Sequence, residues 1–208
     1  MDLTSLRRVY ARQVLALANA FDNAPLEAAY AAVPREIFLG AGEWRINTPW
    51  SLGALIPNDP VLIYQDVVVA LDRERGVNNG SPSLHAHWLN VVAPGPGEYV
   101  VHIGAGTGYY SAILSELVGD EGHVTSIEFD AALAARAQNN LADRSNVTCI
   151  KGSGFDWPRG AADVVYVNFA TSRPARSWVE NLKIGGRLIF PLGVPRAGPC
   201  VYRKPCLS

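Results

Sequence analysis

The chain has 208 residues, of which 49% are hydrophobic and 18% charged, and its formal net charge is −1. That length can bury a core without disulfides or metal, and the balance excludes disorder and a strongly electropositive nucleic-acid-binding surface. No apolar run approaches the roughly 20 residues of a membrane span, the opening MDLTSLRRVY lacks the apolar centre of a signal peptide, and Cys149, Cys200 and Cys206 have neither metal-ligand spacing nor an even disulfide count. A cytoplasmic protein without a metal is expected, with no nucleic-acid or membrane partner.

Apolar spacing predicts a helix over 5–21, where Leu6, Tyr10, Leu17 and Phe21 share a face. Pro25 suits a first helical turn and opens a second helix that stops at Pro34. Residues 40–62 are punctuated by Gly40, Gly42, Pro49, Gly53, Pro57 and Pro60 and read mostly as loop, with Trp44 and Trp50 pinning it to the core. Ser81-Pro82 reads as a helix start. From Glu98 the pattern becomes regular: strands at 98–103, 123–127, 147–150, 163–168 and 187–191 alternate with helices at 110–117, 131–141 and 173–182, and 183–186 is the exit turn of the last helix. Strands alternating with helices imply right-handed parallel crossovers and a doubly wound, mostly parallel α/β sheet. The expected organisation is a helical and loop subregion at 1–78 and a ligand-binding core at 79–208, within one compact domain.

The turn Gly104-Ala105-Gly106-Thr107-Gly108 lies where the first core strand becomes a helix. Glycines there permit positive φ and close approach of a ligand to the backbone, and the helix beyond offers free N–H groups. Glu128, 20 residues past Gly108 at the end of the next strand, is placed to accept hydrogen bonds from two ribose hydroxyls. Two ligand classes use this geometry. Dinucleotide sites favour G-x-G-x-x-G, with a third glycine where this chain has Tyr109. The G-x-G-x-G spacing suits a nucleoside without phosphate, such as S-adenosylmethionine (SAM). Phe129 is a candidate to stack on an adenine. Asn168 ends the fourth strand, at the edge where open α/β sheets place ligands. Asn139 and Asn140 read as helix surface.

The run VHIGAGTGYYSAILSELVGDEGHVTSIE resembles motif I and the following strand of protein-L-isoaspartate O-methyltransferases. Val33-Pro-Arg-Glu-Ile-Phe38 resembles the family's V-P-R-x-x-F, Tyr64-Gln-Asp66 its Y-x-D, the segment 81–86 its S-x-P-x-x-H-A, and Lys183–Gly193 its K-P-G-G-R-L-x-x-P-V-G. The resemblance covers about residues 30–193. It implies a Rossmann-like SAM methyltransferase that yields S-adenosyl-L-homocysteine (SAH), with a protein or peptide carboxylate as acceptor. It also implies cofactor contacts from Asn79, Gly80, Gly104, Ala105, Gly106, Thr107, Gly108, Glu128, Phe129, Ser153, Gly154 and Asn168, and acceptor chemistry at Ser81 and His85. Ser81 has two readings, a donor to the acceptor carboxylate or the cap of the helix that follows.

The departures are as specific. Aligned on Pro82 and His85-Ala86, Gly80 stands where the family's I-S-A-P segment has its serine, and Ser81 is displaced by one. Gly152-Ser153-Gly154 replaces G-D-G, so the acid expected at the adenine amino group is missing, and His102 replaces the acid usual before the motif I Ile-Gly. The tail GVPRAGPCVYRKPCLS leaves little room for the antiparallel strands six and seven that close the family's sheet. These changes point to a weakened isoaspartyl activity that a serine at position 80 is expected to raise. They keep two alternatives open: a related enzyme with another acceptor, and a SAM-binding module with little turnover.

Overall fold

The computed structural model describes residues 2–48, 50–193 and 199–205, and it divides into two compact units, residues 1–91 and 92–208. The first unit begins with three helices, α1 (Leu3–Leu17), α2 (Ala24–Ala32) and α3 (Arg35–Leu39). Asp2 and Asn23 cap the first two by accepting from the backbone N–H of Ser5 and Leu26. A small antiparallel sheet follows in the order β2-β1-β3-β4, built from β1 (Trp44–Thr48), β2 (Ser51–Ile56), β3 (Val68–Asp72) and β4 (Val77–Asn78). Helix α4 runs from Pro82 to Val92.

The stretch expected to be a loop is therefore mainly a hairpin. Its turn is organised by Thr48, whose Oγ1 accepts from the N–H groups of Trp50 and Ser51. Gly53 sits inside β2 with φ +70, so the glycine that reads as a breaker is accommodated within a short outer strand. Trp44 is buried as expected, but Trp50 is 94% exposed and pins nothing.

The second unit is a six-stranded sheet in the order β10-β9-β8-β5-β6-β7. Its strands are β5 (Tyr99–Ile103), β6 (His123–Glu128), β7 (Val147–Lys151), β8 (Ala162–Val167), β9 (Leu182–Pro191) and β10 (Pro199–Arg203). The first four pairings around β5 and β8 are parallel, and β10 alone runs antiparallel, beside β9. Helices α5 (Tyr109–Val118), α6 (Ala131–Asn140) and α7 (Arg176–Glu180) complete it. Its core gathers Val101, Ile103, Val165, Leu188 and Phe190 around the fully buried Trp178.

Two expectations change here. The helix predicted over 173–182 shrinks to the single turn and a half of α7, and residues 183–186 are an irregularity in β9 rather than an exit turn. Ala162 pairs with Leu182 but Val164 already pairs with Arg187, and Gly185 takes φ +77 in the bulge between them. The tail does supply an antiparallel strand, β10. Strand β5 has β6 on one side and β8 on the other, so the chain winds both ways from it and the carboxyl ends of these three strands form the topological switch point.

Candidate cofactor site

The loop after β5 is built by backbone bonds to the end of β6. The N–H groups of Gly104 and Ala105 both reach the Ile127 carbonyl, at 2.9 and 3.1 Å, and Gly108 N–H closes the turn on the Ala105 carbonyl at 2.9 Å. Gly104, Gly106 and Gly108 all have positive φ, at 78°, 58° and 96°. Packing adds a second demand at two of them. A Cβ on Gly108 would lie 2.6 Å from Leu141 Cδ1, and one on Gly104 3.1 Å from Phe169 Cδ1. These two glycines thus serve helix packing and strand-end packing as well as any ligand.

Glu128 joins the two loops. Its Oε2 accepts from Gly106 N–H at 2.7 Å and its Oε1 from Asp130 N–H at 2.9 Å. Each carboxylate oxygen keeps further acceptor capacity, so the group is oriented by backbone and can still take two hydroxyls. Asn140, read from the sequence as surface, donates through Nδ2 to the Thr107 carbonyl at 3.0 Å and so helps fix the same turn. An asparagine at the last position of a helix packed beside a glycine turn was the only signal for it. Phe129 is 75% exposed.

Beneath the turn lies a buried polar chain that joins His102 to the expected contact Asn168. His102, fully buried in β5, holds Ser111 Oγ at Nδ1 and the Asn168 side-chain amide at Nε2, both at 2.7 Å. Ser111 Oγ continues to Ser126 Oγ at 2.8 Å. Burial depresses the His102 pKa to about 3, so the ring is neutral at ordinary pH. Asn168 follows β8, and its N–H donates to the Ile103 carbonyl.

The Ser153 position keeps a turn but not an acid. Ser153 caps a short 3-10 turn through its Oγ, which accepts from Phe155 N–H. A Cβ on Gly154 would fall 2.0 Å from Ile103 Cγ2, so this glycine is required by the core. Its carbonyl accepts from Trp178 Nε1 at 2.9 Å, and Phe155 stacks on Trp178 at 5.6 Å with the rings 12° from parallel.

In the first unit, the remaining candidates form a second cluster. Asn79 pairs with β3, its side-chain Oδ1 accepting from Val69 N–H at 2.8 Å while its backbone N–H donates to the Val69 carbonyl. Ser81 donates to Asp66 Oδ1 at 3.2 Å, and the same carboxylate accepts from Ser83 N–H and Ser83 Oγ at 2.9 and 2.6 Å. Ser81 Oγ also faces Leu84 N–H at 3.4 Å. Asp66 and Ser81 together cap α4, the bonding expected of the helix-cap reading. Gly80 has φ +75, and a Cβ there would sit 2.3 Å from Nε2 of the buried His85. The imidazole fills the space a serine side chain would need, so a serine at position 80 requires the His85 ring to move.

The motifs at 33–38 and 64–66 are two halves of one structure. The Arg35 guanidinium, fully buried, donates to the carbonyls of Ile63, Gln65 and Val67, and Tyr64 Oη accepts from Arg35 N–H while donating to Glu36. Burial and the Glu36 carboxylate push the Tyr64 pKa up.

The family model described as protein-L-isoaspartate(D-aspartate) O-methyltransferase matches residues 57–201. The chain belongs to this family. The Thermotoga maritima protein-L-isoaspartate O-methyltransferase is 32% identical over 138 residues, 64% of this chain and 44% of that protein. A relative of the same name from Archaeoglobus fulgidus is 37% identical over 57% of this chain and 56% of its own length. A solved protein-L-isoaspartate O-methyltransferase superposes over 94% of this chain and 60% of its own, with a TM-score of 0.76 and 26% identity. A Plasmodium falciparum beta-aspartate methyltransferase, solved in complex with SAH, covers 97% of this chain and 95% of its own at a TM-score of 0.71; at 17% identity it supports the fold. The match to the Thermotoga relative and to the Aeropyrum pernix one spans only 44% and 53% of those proteins' lengths.

Proposed function

We propose that the chain is a SAM-dependent carboxyl O-methyltransferase that esterifies a protein or peptide carboxylate, with the isoaspartyl carboxyl as first acceptor. The observation that carries this reading is the Glu128 carboxylate, held by Gly106 and Asp130 N–H groups at the switch point with acceptor capacity to spare. Two ribose hydroxyls fit that carboxylate, and Tyr109 stands where a dinucleotide site favours its third glycine. Glycines at positive φ and the N-terminus of α5 fit the rest of a nucleoside with an amino-acid tail. Gly104 to Gly108, Glu128, Phe129, Ser153, Gly154 and Asn168 are the proposed cofactor contacts.

The bound cofactor would supply a methyl group already activated by sulfonium charge. An ionised carboxylate needs no general base to accept it, so the protein's tasks are orientation and exclusion of water. Ser81 and His85 are the proposed acceptor-chemistry residues of the 79–85 segment; Ser81 donates to Asp66, and the buried His85 lies against Gly80.

The test is methyl transfer from labelled SAM to an isoaspartyl peptide and to its aspartyl twin, scored as base-labile methanol. Isoaspartyl-dependent incorporation is expected. SAH binding without transfer to either peptide would remove the isoaspartyl acceptor, and no SAH binding would remove the whole reading. His85→Ala should lower kcat at unchanged SAH affinity.

A further inference from the structure

The small sheet of the first unit carries a cavity of about 390 Å³ that none of the proposed cofactor or acceptor residues lines. That volume lies in the ordinary range of ligand pockets. Its lining follows from strand pleating: Arg45 and Asn47 of β1 alternate with the buried Trp44 and Ile46, and Ala70 of β3 follows the buried Val69. A Cβ on Gly53 or Gly76 would meet nothing within 4 Å, so the space is open down to the backbone.

The polar groups around this space have their acceptors engaged and their donors to spare. Asn47 Oδ1 accepts from Gly53 N–H at 3.0 Å, and Asn78 Oδ1 from Gly80 N–H at 2.9 Å. The Asp72 carboxylate accepts from Arg75 Nε at 2.7 Å and from Arg75 N–H at 3.1 Å, which offsets its charge. A guanidinium has several N–H donors, and Arg45 gives one, to the Gly53 carbonyl at 3.2 Å. The Arg73 guanidinium is exposed and has no hydrogen-bond or ion-pair partner among the described residues. A group that only accepts matches such a lining, and a carboxylate can take a guanidinium through both oxygens. The rim is apolar. Leu52 lines the cavity and is 85% exposed, and Trp50, in the turn before it, is 94% exposed. Tryptophan and arginine are the side chains that interfaces use as anchors. A small free anion gains nothing from that rim, and a net charge of −1 disfavours a nucleic acid. A peptide with carboxylates beside apolar side chains uses both parts.

We propose that this cavity docks a segment of the acceptor protein that bears an aspartate or glutamate beside apolar residues. Arg45 and Arg73 take that carboxylate, which is distinct from the one methylated, and Leu52 and Trp50 take the apolar neighbours. The inference rests on the proposed peptide acceptor and adds a sequence preference to it. A contact that does not touch the reacting carboxyl holds ground state and transition state alike, so it enters KM and leaves kcat nearly unchanged.

Two measurements test it. Fluorescence anisotropy reads the binding of a labelled peptide in which glutamates alternate with leucines, against its glutamine counterpart. Wild-type protein should bind the glutamate peptide about tenfold more tightly, the size expected for charge-assisted pairing, and added salt should weaken it. Arg45→Gln and Arg73→Gln should each remove most of that preference, while Arg8→Gln, at an exposed arginine outside the cavity, should keep it. Arg73→Glu should turn the preference toward a lysine counterpart. Kinetics then compare isoaspartyl peptides with glutamate or glutamine flanks. The glutamate flank should lower KM about tenfold at a kcat within about twofold, and both Arg→Gln variants should lose that advantage. Equal affinity for the glutamate and glutamine peptides would overturn the proposal. So would an equal loss in Arg8→Gln, which would make the attraction a property of the whole surface. Inorganic phosphate or an oligonucleotide bound more tightly than the peptide, and lost in Arg45→Gln, would put another anion in the cavity and overturn it too. A glutamate preference in binding with no transfer to any isoaspartyl peptide would instead refute the acceptor reading, while the docking of an acidic peptide would stand.

Discussion

Glu128 has two tasks on one carboxylate. It ties Gly106 to Asp130 through backbone N–H groups and presents its remaining lone pairs to a ribose. Glu128→Ala removes charge-assisted bonds of about 1.5–3 kcal/mol each, so SAH affinity measured by calorimetry should fall at least roughly tenfold; a change under twofold would reduce Glu128 to a loop tie. Gly80 is a residue whose identity is dictated by its neighbour. A side chain there must adopt φ +75 and enter the His85 ring, 2.3 Å from Nε2. Gly80→Ser should therefore destabilise the protein by about 1–3 kcal/mol, read as a lower urea midpoint, and should reduce methyl transfer. An unchanged midpoint with raised transfer would show that the ring yields and that the missing hydroxyl had limited the reaction.

Among the elements, most of the second unit was legible because its central parallel strands are short apolar runs buried on both faces and its helices show period 3.6, as at Tyr110, Ile113, Leu114 and Leu117 in α5. The glycine turn and Glu128 could be placed from spacing because a strand end and a helix start flank them. Strand β2 could not, since its exposed residues Leu52 and Leu55 alternate against no buried face and Gly53 mimics a breaker. The reason for Gly108 was equally out of reach, because Leu141 lies 33 positions away in sequence and meets it only where the end of α6 approaches the glycine turn. Gly108→Ala forces a Cβ to 2.6 Å from Leu141 Cδ1 at φ +96. It should cost about 1–3 kcal/mol. Leu141→Ala opens the same space, so the double variant should be less destabilised than the two single losses added together. Strict additivity in chemical denaturation would attribute the cost to backbone strain alone.

For the molecule as a whole, His102 makes stability depend on pH in a definite direction. Its nitrogens are engaged by the uncharged Ser111 and Asn168, and burial holds its pKa at about 3 against an ordinary 6.5. Between these values the unfolded chain binds the proton that the folded chain refuses, so unfolding is favoured progressively as pH falls. The contribution is complete above pH 6.5 and is lost toward pH 3, with a slope that approaches about 1.4 kcal/mol per pH unit for this one group. The informative quantity is a difference between two proteins that differ only at this ring. His102→Gln should be less stable than wild type at pH 7, where it gives up a matched pair of hydrogen bonds and gains nothing from losing a titrating ring. As pH is lowered from about 6.5 to 4, the gap should close by about 1 kcal/mol or more per unit, because only the wild type must withhold a proton from a buried imidazole. Urea unfolding of both proteins across that range measures it. A constant gap would mean that the imidazole takes up its proton inside the fold, and the neutral ring on which the orientation of Asn168 depends would then be lost in mild acid.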